Sequence, residues 1–407
     1  MSSLLTALRS NEKFGGLFST NGMTDSYKTG IAVLDYMLGY TMDIYDENNV
    51  RVKQEPVIGI QGGCYVMDIG KSSTAKTSLM LFIAAMIVRP FEHSFILHYD
   101  LEQAMNITRA KNMTRFTISQ MKKQYVLRQE NSTMEEIKLM LMNIYKEKID
   151  NPKLYKYDSG KLNEFGEPIV VYQPTVVLID SIPSLTVEHS ENNTKEWKKL
   201  EEITSQTERM RLTAEIGRMY TDLLPYLRAA NIVVISINHI RVNPQMGIVP
   251  SAAELLYLKQ DEAMPGGKTP PYLAHYLFKN VAVGSMKYTK EKDGFDGFGI
   301  QLLVVKARSN NNGQIITLIF DKLRGVSPIR TNIEYAKENG LVGGNINSMY
   351  FINEKDKKFP LRTVEEYFAE HPEMYKIMYD HIIPVLETKL GTVSDLQEKI
   401  DTELMEY

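Results

Sequence analysis

The sequence predicts an α/β protein with a mostly parallel, twisted sheet covered by helices on both faces. Three observations predict it. Gly63–Val88 reads as a short apolar strand, the string Gly70-Lys71-Ser72-Ser73-Thr74-Ala75-Lys76-Thr77, and a wholly apolar run from Leu79. Phe95–Asp100 (FILHYD), Thr175–Asp180 (TVVLID) and Asn231–Asn238 (NIVVISIN) are short, apolar and rich in β-branched residues, as strands covered on both faces should be. Helical stretches lie between them, notably Thr133–Tyr145 and Leu200–Ala230. Such alternation implies parallel strands with helical crossovers and ligands outside the carboxyl ends of the strands.

In chain order, residues 1–26 carry a short amphipathic pattern and read as an arm, frayed or docked on something. Tyr27–Tyr40 reads as a turn and a helix with Ile31, Leu34, Met37 and Leu38 on one face, and polar Asp43–Lys53 as a surface hairpin. Ile300–Ala307 and Gln314–Asp321 are close enough to pair antiparallel across the turn at Asn310–Gly313. From about Tyr335 the pattern turns helical, over Val364–Ala369, Glu373–Gly391 and Val393–Met405. The expected division is an arm (1–26), a core (27–334) and a small, mainly helical C-terminal domain (335–407).

The chain has 407 residues and a net charge of −3, so no global basic field draws in nucleic acid and any polyanion contact needs a local patch. Its single cysteine, Cys64, cannot form an intrachain disulfide, which suits a reducing compartment. The apolar run Leu79–Val88 is too short to span a bilayer and the N-terminus lacks a secretory pattern, so the expectation is a soluble, cytoplasmic protein without a membrane partner.

The Gly70–Thr77 string resembles a phosphate loop, G-x-x-x-x-G-K-[ST], with Ala75 in place of the second glycine. There, backbone N–H groups at a helix start cradle a polyphosphate, Lys76 reaches the β- and γ-phosphates, and the Thr77 hydroxyl holds Mg²⁺. A Ser/Thr-rich turn is the plainer reading, but a strand before and a helix after favour the phosphate loop. Asp180 ends a strand, as does an acid that orients Mg²⁺; a simple cap is the alternative. Asp100 and Glu102 end the preceding strand, and Glu102 is the better candidate to polarise an attacking water. His239 ends a third strand, within potential reach of the same phosphate; a His satisfied by backbone at the core's edge is the alternative. Ile240–Pro265 is long, with prolines at Pro244, Pro250 and Pro265 and no clear strand, and Gly266-Gly267-Lys268 follows. Thr204–Arg218 offers Thr207, Arg209, Arg211 and Arg218, either a solvated helix face or a grip on nucleic-acid phosphates. Lys306 and Arg308 share a face at a strand end, either an exposed edge or a pair aimed at one anion.

Taken together, TGIAVLDYMLG, GKSSTAKTS, YDLE, VVLIDSIPSL, SINHIR, PGGK, VVKARS and FDKLRGVSPIRTNIEYAKENGLV resemble, in order and spacing, the RecA/UvsX family of DNA recombinases, and its phage UvsX branch above all. The likeness runs from about Tyr27 to Gly343. It implies a RecA-like ATPase core in which Gly70, Lys71, Ser72, Ser73, Thr74, Ala75, Lys76, Thr77 and Ser78 hold ATP. Thr77 and Asp180 would hold Mg²⁺, Glu102 activate water, and His239 sense the γ-phosphate. Arg109 stands where the family places a tyrosine that stacks on adenine. Lys306 and Arg308 stand where two cations reach into the neighbouring protomer's ATP, and the arm 1–26 resembles the segment that docks on the adjacent protomer. The segment near Thr207, Arg209 and Arg211, with Arg218, and the stretch from Arg241 to Gly266, Gly267 and Lys268 would hold DNA.

The resemblance implies a phage-encoded, DNA-dependent ATPase that forms helical filaments on single-stranded DNA, captures duplex and exchanges strands in recombination, repair and recombination-dependent replication. A single-strand-binding protein and a loader are the further partners it implies. Two rivals stay open: a ring helicase on the same core, and a nucleotide-binding filament or mediator protein without useful hydrolysis.

Overall fold

The computed structural model describes residues 25–46, 48, 50–130, 132–189, 196–199, 206–242, 257–259, 261–287, 296–309 and 311–390, and every structural statement below concerns these. The expected arm and the last helix, Val393–Met405, lie almost wholly or wholly outside them.

The centre is a nine-stranded sheet built from β1 (Tyr65–Gly70), β2 (Ile96–Asp100), β3 (Tyr125–Arg128), β4 (Thr175–Asp180), β5 (Ile232–His239), β6 (Tyr276–Lys287), β7 (Asp296–Lys306), β8 (Ile315–Asp321) and β9 (Gly325–Val326). Across the sheet the order is β9-β8-β7-β6-β1-β5-β4-β2-β3. The strands from β6 to β3 in that order run parallel, and β7, β8 and β9 continue antiparallel. β7 and β8 pair as the sequence predicts, with Leu303 opposite Ile315.

Strand alternation explains why the central strands are mostly apolar on both faces. Val66, Leu178 and Ile235 face one side, where they meet α1 (Ala32–Met37) and α2 (Lys76–Val88). Tyr65, Met67, Ile69, Val177, Ile179 and Val234 face the other, against α4 (Met134–Asp150) and α5 (Gln206–Ala229). Both faces are dry, so neither can carry exposed polar residues. α2 is apolar all round because it is itself covered, by the sheet on one side and by α3 (Ile107–Thr114) and β9 on the other.

The first core continues through Leu302 and Phe320 to α7 (Pro328–Glu338), α8 (Val364–Glu370) and α9 (Glu373–Glu387), where Phe351, Phe359, Phe368, Met378 and Ile382 are buried. Arg330 on α7 ties that region down. It holds Glu365 on α8 in a bidentate pair and donates to the carbonyls of Leu361 and Arg362. Tyr40–Tyr45 pairs with Arg51–Val57 as the expected hairpin, and a second ribbon, Lys156–Leu162 with Pro168–Tyr172, lies beyond the predicted elements. Among the described residues no helix is long and apolar enough to cross a membrane.

Candidate phosphate and metal site

β1 ends at Gly70, where a Cβ would lie 2.7 Å from Thr74 Oγ1 and 2.8 Å from the Asn280 carbonyl, so only glycine fits. The loop then turns through Ser73 (φ 61°) and Ala75 (φ 59°, ψ 20°), both left-handed. Ala75 therefore adopts the conformation that a glycine would supply freely, which explains how the chain keeps the loop without one. No side chain caps the start of α2, so its first N–H groups are available to an anion.

Lys76 is buried and folds back over the loop, donating to the carbonyls of Gly70 (3.1 Å) and Lys71 (2.8 Å). Burial lowers its pKa against the fields of Asp68, Asp180 and Glu102. Thr77 Oγ1 donates to Asp180 Oδ2 at 2.6 Å. A hydroxyl and a carboxylate in contact are a suitable partial donor set for Mg²⁺, which takes oxygen ligands and shares them with water and phosphate. Burial pushes the Asp180 carboxyl up to about 6, although the Thr77 bond works the other way.

The structure separates the two acids that follow β2. Asp100 is consumed locally, accepting from the N–H groups of Ala104 (3.2 Å) and Met105 (2.7 Å) and from Gln129 Nε2 (2.8 Å). Glu102 instead turns toward β4 and β5, where its Oε1 accepts from Ser181 Oγ at 2.5 Å and meets His239 Nε2 at 2.9 Å. The His239 contact and the Ser181 hydroxyl hold its carboxyl at about 2, against the opposing pull of burial. Lys76, Thr77, Asp180, Glu102 and His239 thus gather at the carboxyl ends of β1, β2, β4 and β5, or just beyond them.

Lys306 and Arg308 lie elsewhere. Lys306 ends β7 opposite Leu277, near the start of β6, whereas Gly70 lies opposite Asn280 farther along that strand. Its Nζ donates to the Tyr272 carbonyl (2.7 Å), in α6 (Thr269–Leu273) just before β6. Arg308 is exposed. Arg228 at the end of α5 and His275 belong to the same neighbourhood, and sequence reasoning missed both. Burial, then Arg308, Lys306 and Arg228, depress the His275 pKa to about 4, so this ring is neutral and accepts from the Tyr65 N–H at 2.9 Å. These cations sit at the opposite end of the sheet from the phosphate loop.

Arg109 is exposed on α3, with Nη1 3.4 Å from the Ala104 carbonyl. Thr207, Arg209 and Arg211 fall in the first turns of α5, and their side chains lie outside the described residues. Arg218, Arg241 and Lys268 are exposed. Gly217, beside Arg218, packs on Thr269, beside Lys268. Gly266 (φ 84°) and Gly267 (φ 75°) have a steric reason to be glycine: a Cβ on Gly267 would lie 2.3 Å from Thr213 Cγ2. Within Ile240–Pro265, which reads as strandless, Arg241–Val242 pairs with Glu262–Ala263.

Two further residues of the site come from unexpected places. Asp68 is fully buried in β1, with both carboxylate oxygens 2.8 Å from Asn280 Nδ2 on β6. Burial holds its carboxyl above the usual range, with Lys76 and Asn280 opposing. An acid in a strand otherwise apolar was the available signal.

No protein-family model matches the chain, and no curated protein does. Among solved structures it is similar to one described as "Crystal structure of the RadB recombinase", at 18% identity over 66% of this chain and 92% of that one, with a TM-score of 0.37. A likeness at that score leaves the chemistry to the residues themselves.

Proposed function

We propose that this chain is an ATP- and Mg²⁺-dependent DNA recombinase that assembles head to tail on single-stranded DNA and exchanges strands with homologous duplex. The observation that carries the reading is the separation of two half-sites. Lys76, Thr77, Asp180, Glu102 and His239 gather at one end of the sheet, and Lys306, Arg308 and Arg228 at the other. Cations so placed are poorly positioned for their own chain's phosphates and well positioned for a neighbour's. A contact between unlike ends repeats into a ring or a helix.

In this reading the α2 N–H groups and Lys76 bind the triphosphate, and Thr77 and Asp180 hold Mg²⁺, which when bound neutralises phosphate charge. Glu102 accepts a proton from water, with Ser181 and His239 fixing its orientation. Lys306 and Arg308 of the next copy complete the charge balance, so assembly and nucleotide binding favour each other. Arg218, Arg241 and Lys268 support phosphate contacts without base-specific readout, for which base pairing between strands suffices.

Mixing inactive variants tests the shared site. Lys76→Ala spoils the phosphate loop, and Lys306→Ala with Arg308→Ala spoils the cations. In an equal, random mixture roughly a quarter of interfaces join two intact halves, so DNA-stimulated phosphate release should return where each variant alone has none. A mixture no more active than its parts would falsify the shared site. Electron microscopy on single-stranded DNA with ATP distinguishes filament from ring, and strand exchange between homologous oligonucleotides, with and without ATP, tests recombination itself.

A further inference from the structure

Glu262 belongs to the ribbon Arg241–Val242/Glu262–Ala263, which begins two residues after His239. Its carboxylate side chain is only 3% exposed. It accepts from the Lys259 N–H at 3.1 Å and from Lys279 Nζ at 3.0 Å, and Lys71 Nζ lies 3.8 Å away. Lys279 is fixed in β6, where its ammonium also donates to the Tyr257 carbonyl at 2.8 Å. Lys71 opens the phosphate loop, and its side chain is 57% exposed. One buried acid therefore faces two ammonium groups, one locked in the sheet and one free to turn away. Burial works against the charge on Glu262, but the Lys259 N–H, the Lys279 bond and the fields of Lys279 and Lys71 outweigh it and hold the carboxyl below its usual range.

We infer that Glu262 is a latch between the phosphate loop and the Arg241–Val242/Glu262–Ala263 ribbon, and that a bound triphosphate releases it by taking Lys71. The inference rests on the nucleotide reading of that loop. At 3.8 Å the Lys71 ammonium is beyond hydrogen-bond distance of Glu262, and an ion pair at that separation whose ammonium is more than half exposed is weak. A triphosphate at the start of α2 offers the same ammonium several charged oxygens at close range. Lys279, at 3.0 Å, keeps its bond, so the ribbon stays attached to β6 and loses only its tie to the loop. Arg241 lies on that ribbon, and Gly266, Gly267 and Lys268 follow it after Met264 and Pro265. Coupling of this kind is reciprocal: a polyanion that draws the ribbon from the loop raises nucleotide affinity by the factor with which nucleotide raises its own.

A purely structural Glu262, pinning its strand to β6 through Lys279, would have no energetic connection to Lys71. Calorimetric binding of MgATP to the full chain, Glu262→Gln, Lys71→Ala and the double variant separates the two roles. With Lys71 present, removing the charge at 262 should tighten MgATP binding about five-fold, the low end of measured couplings. With alanine at 71 it should do nothing. Glu262→Asp, which draws the carboxylate back by one methylene, should tighten binding in the same direction by a smaller factor and serves if the glutamine variant does not fold. Equal effects in both backgrounds, or no effect in either, overturn the latch alone. Failure of the unaltered chain to bind MgATP overturns the latch together with the nucleotide reading.

Discussion

Glu102→Gln is the sharpest probe of the chemistry at the carboxyl ends of the strands. The substitution keeps an Oε1 that can accept from Ser181 and meet His239, the two partners at 2.5 and 2.9 Å, so the geometry should survive while the base is lost. General-base catalysis contributes roughly 10²–10⁴ in rate, or about 3–5 kcal/mol of barrier at 1.36 kcal/mol per decade. With its carboxyl held at about 2, Glu102 is ionised throughout the neutral range. Its protonation should therefore slow phosphate release only toward strongly acidic pH, leaving the profile flat between about pH 5 and 8 as far as this residue is concerned. The stability sign runs the same way. A depressed carboxyl stabilises the fold above its unfolded pKa, and the contribution is lost as pH falls through about 2. Because the side chain is 37% exposed, solvent screening keeps that contribution under about 1 kcal/mol. The assay is steady-state phosphate release at saturating MgATP and single-stranded DNA, beside MgATP affinity by calorimetry. A fall of at least a hundred-fold in turnover with little change in affinity is expected. Turnover within about three-fold of the unaltered protein, or an acid limb near neutrality that vanishes in the variant, would refute the assignment of Glu102 as the base.

Ala75→Gly relieves a left-handed backbone that costs an L-residue about 1–2 kcal/mol, and gives back about 0.4–1 kcal/mol in unfolded-state entropy, so urea denaturation should show unchanged or slightly greater stability with MgATP affinity retained. Gly267→Ala places a Cβ 2.3 Å from Thr213 at φ 75°, and should destabilise by at least about 2 kcal/mol in the same measurement. Lys148 is buried against the carbonyls of Gln173 and Ala230, and burial lowers its pKa to about 7. Between that value and the usual lysine range the unfolded chain binds the extra proton, so its contribution makes stability rise with pH across that window; Lys148→Met should flatten the rise in a series of urea titrations.

How much of this was legible in the sequence depends on what each residue answers to. β1, β2, β4 and β5 announce themselves because both their faces are buried, leaving mostly apolar and β-branched side chains to read, with a few covered polar ones such as Asp68, His98 and Ser236. β6 does not, because it runs past two ionic neighbours: Lys279 and Asn280 are there for Glu262 and Asp68, and in the one-dimensional string they look like surface. β3 is four residues long and borrows its stability from β2, so no pattern could mark it. The same distinction divides the candidate site. Lys76, Thr77, Asp180, Glu102 and His239 could be named from the sequence because each follows a recognisable strand, and parallel strands bring their carboxyl ends together. Ser181, Asp68 and Glu262 acquire their roles only from partners on other strands. Lys306 and Arg308 are the instructive case. Their type and spacing suggested an anion, but which anion depends on register: an antiparallel β7 returns its last residue to the start of β6, three residues short of the level of Gly70 and heading away from it. Had β7 run parallel to β6, its last residues would lie at the carboxyl ends of the parallel strands, beside their own phosphate loop, and the proposal of a shared site would lose its ground. Strand direction, which no local pattern encodes, is thus what the proposed shared site rests on.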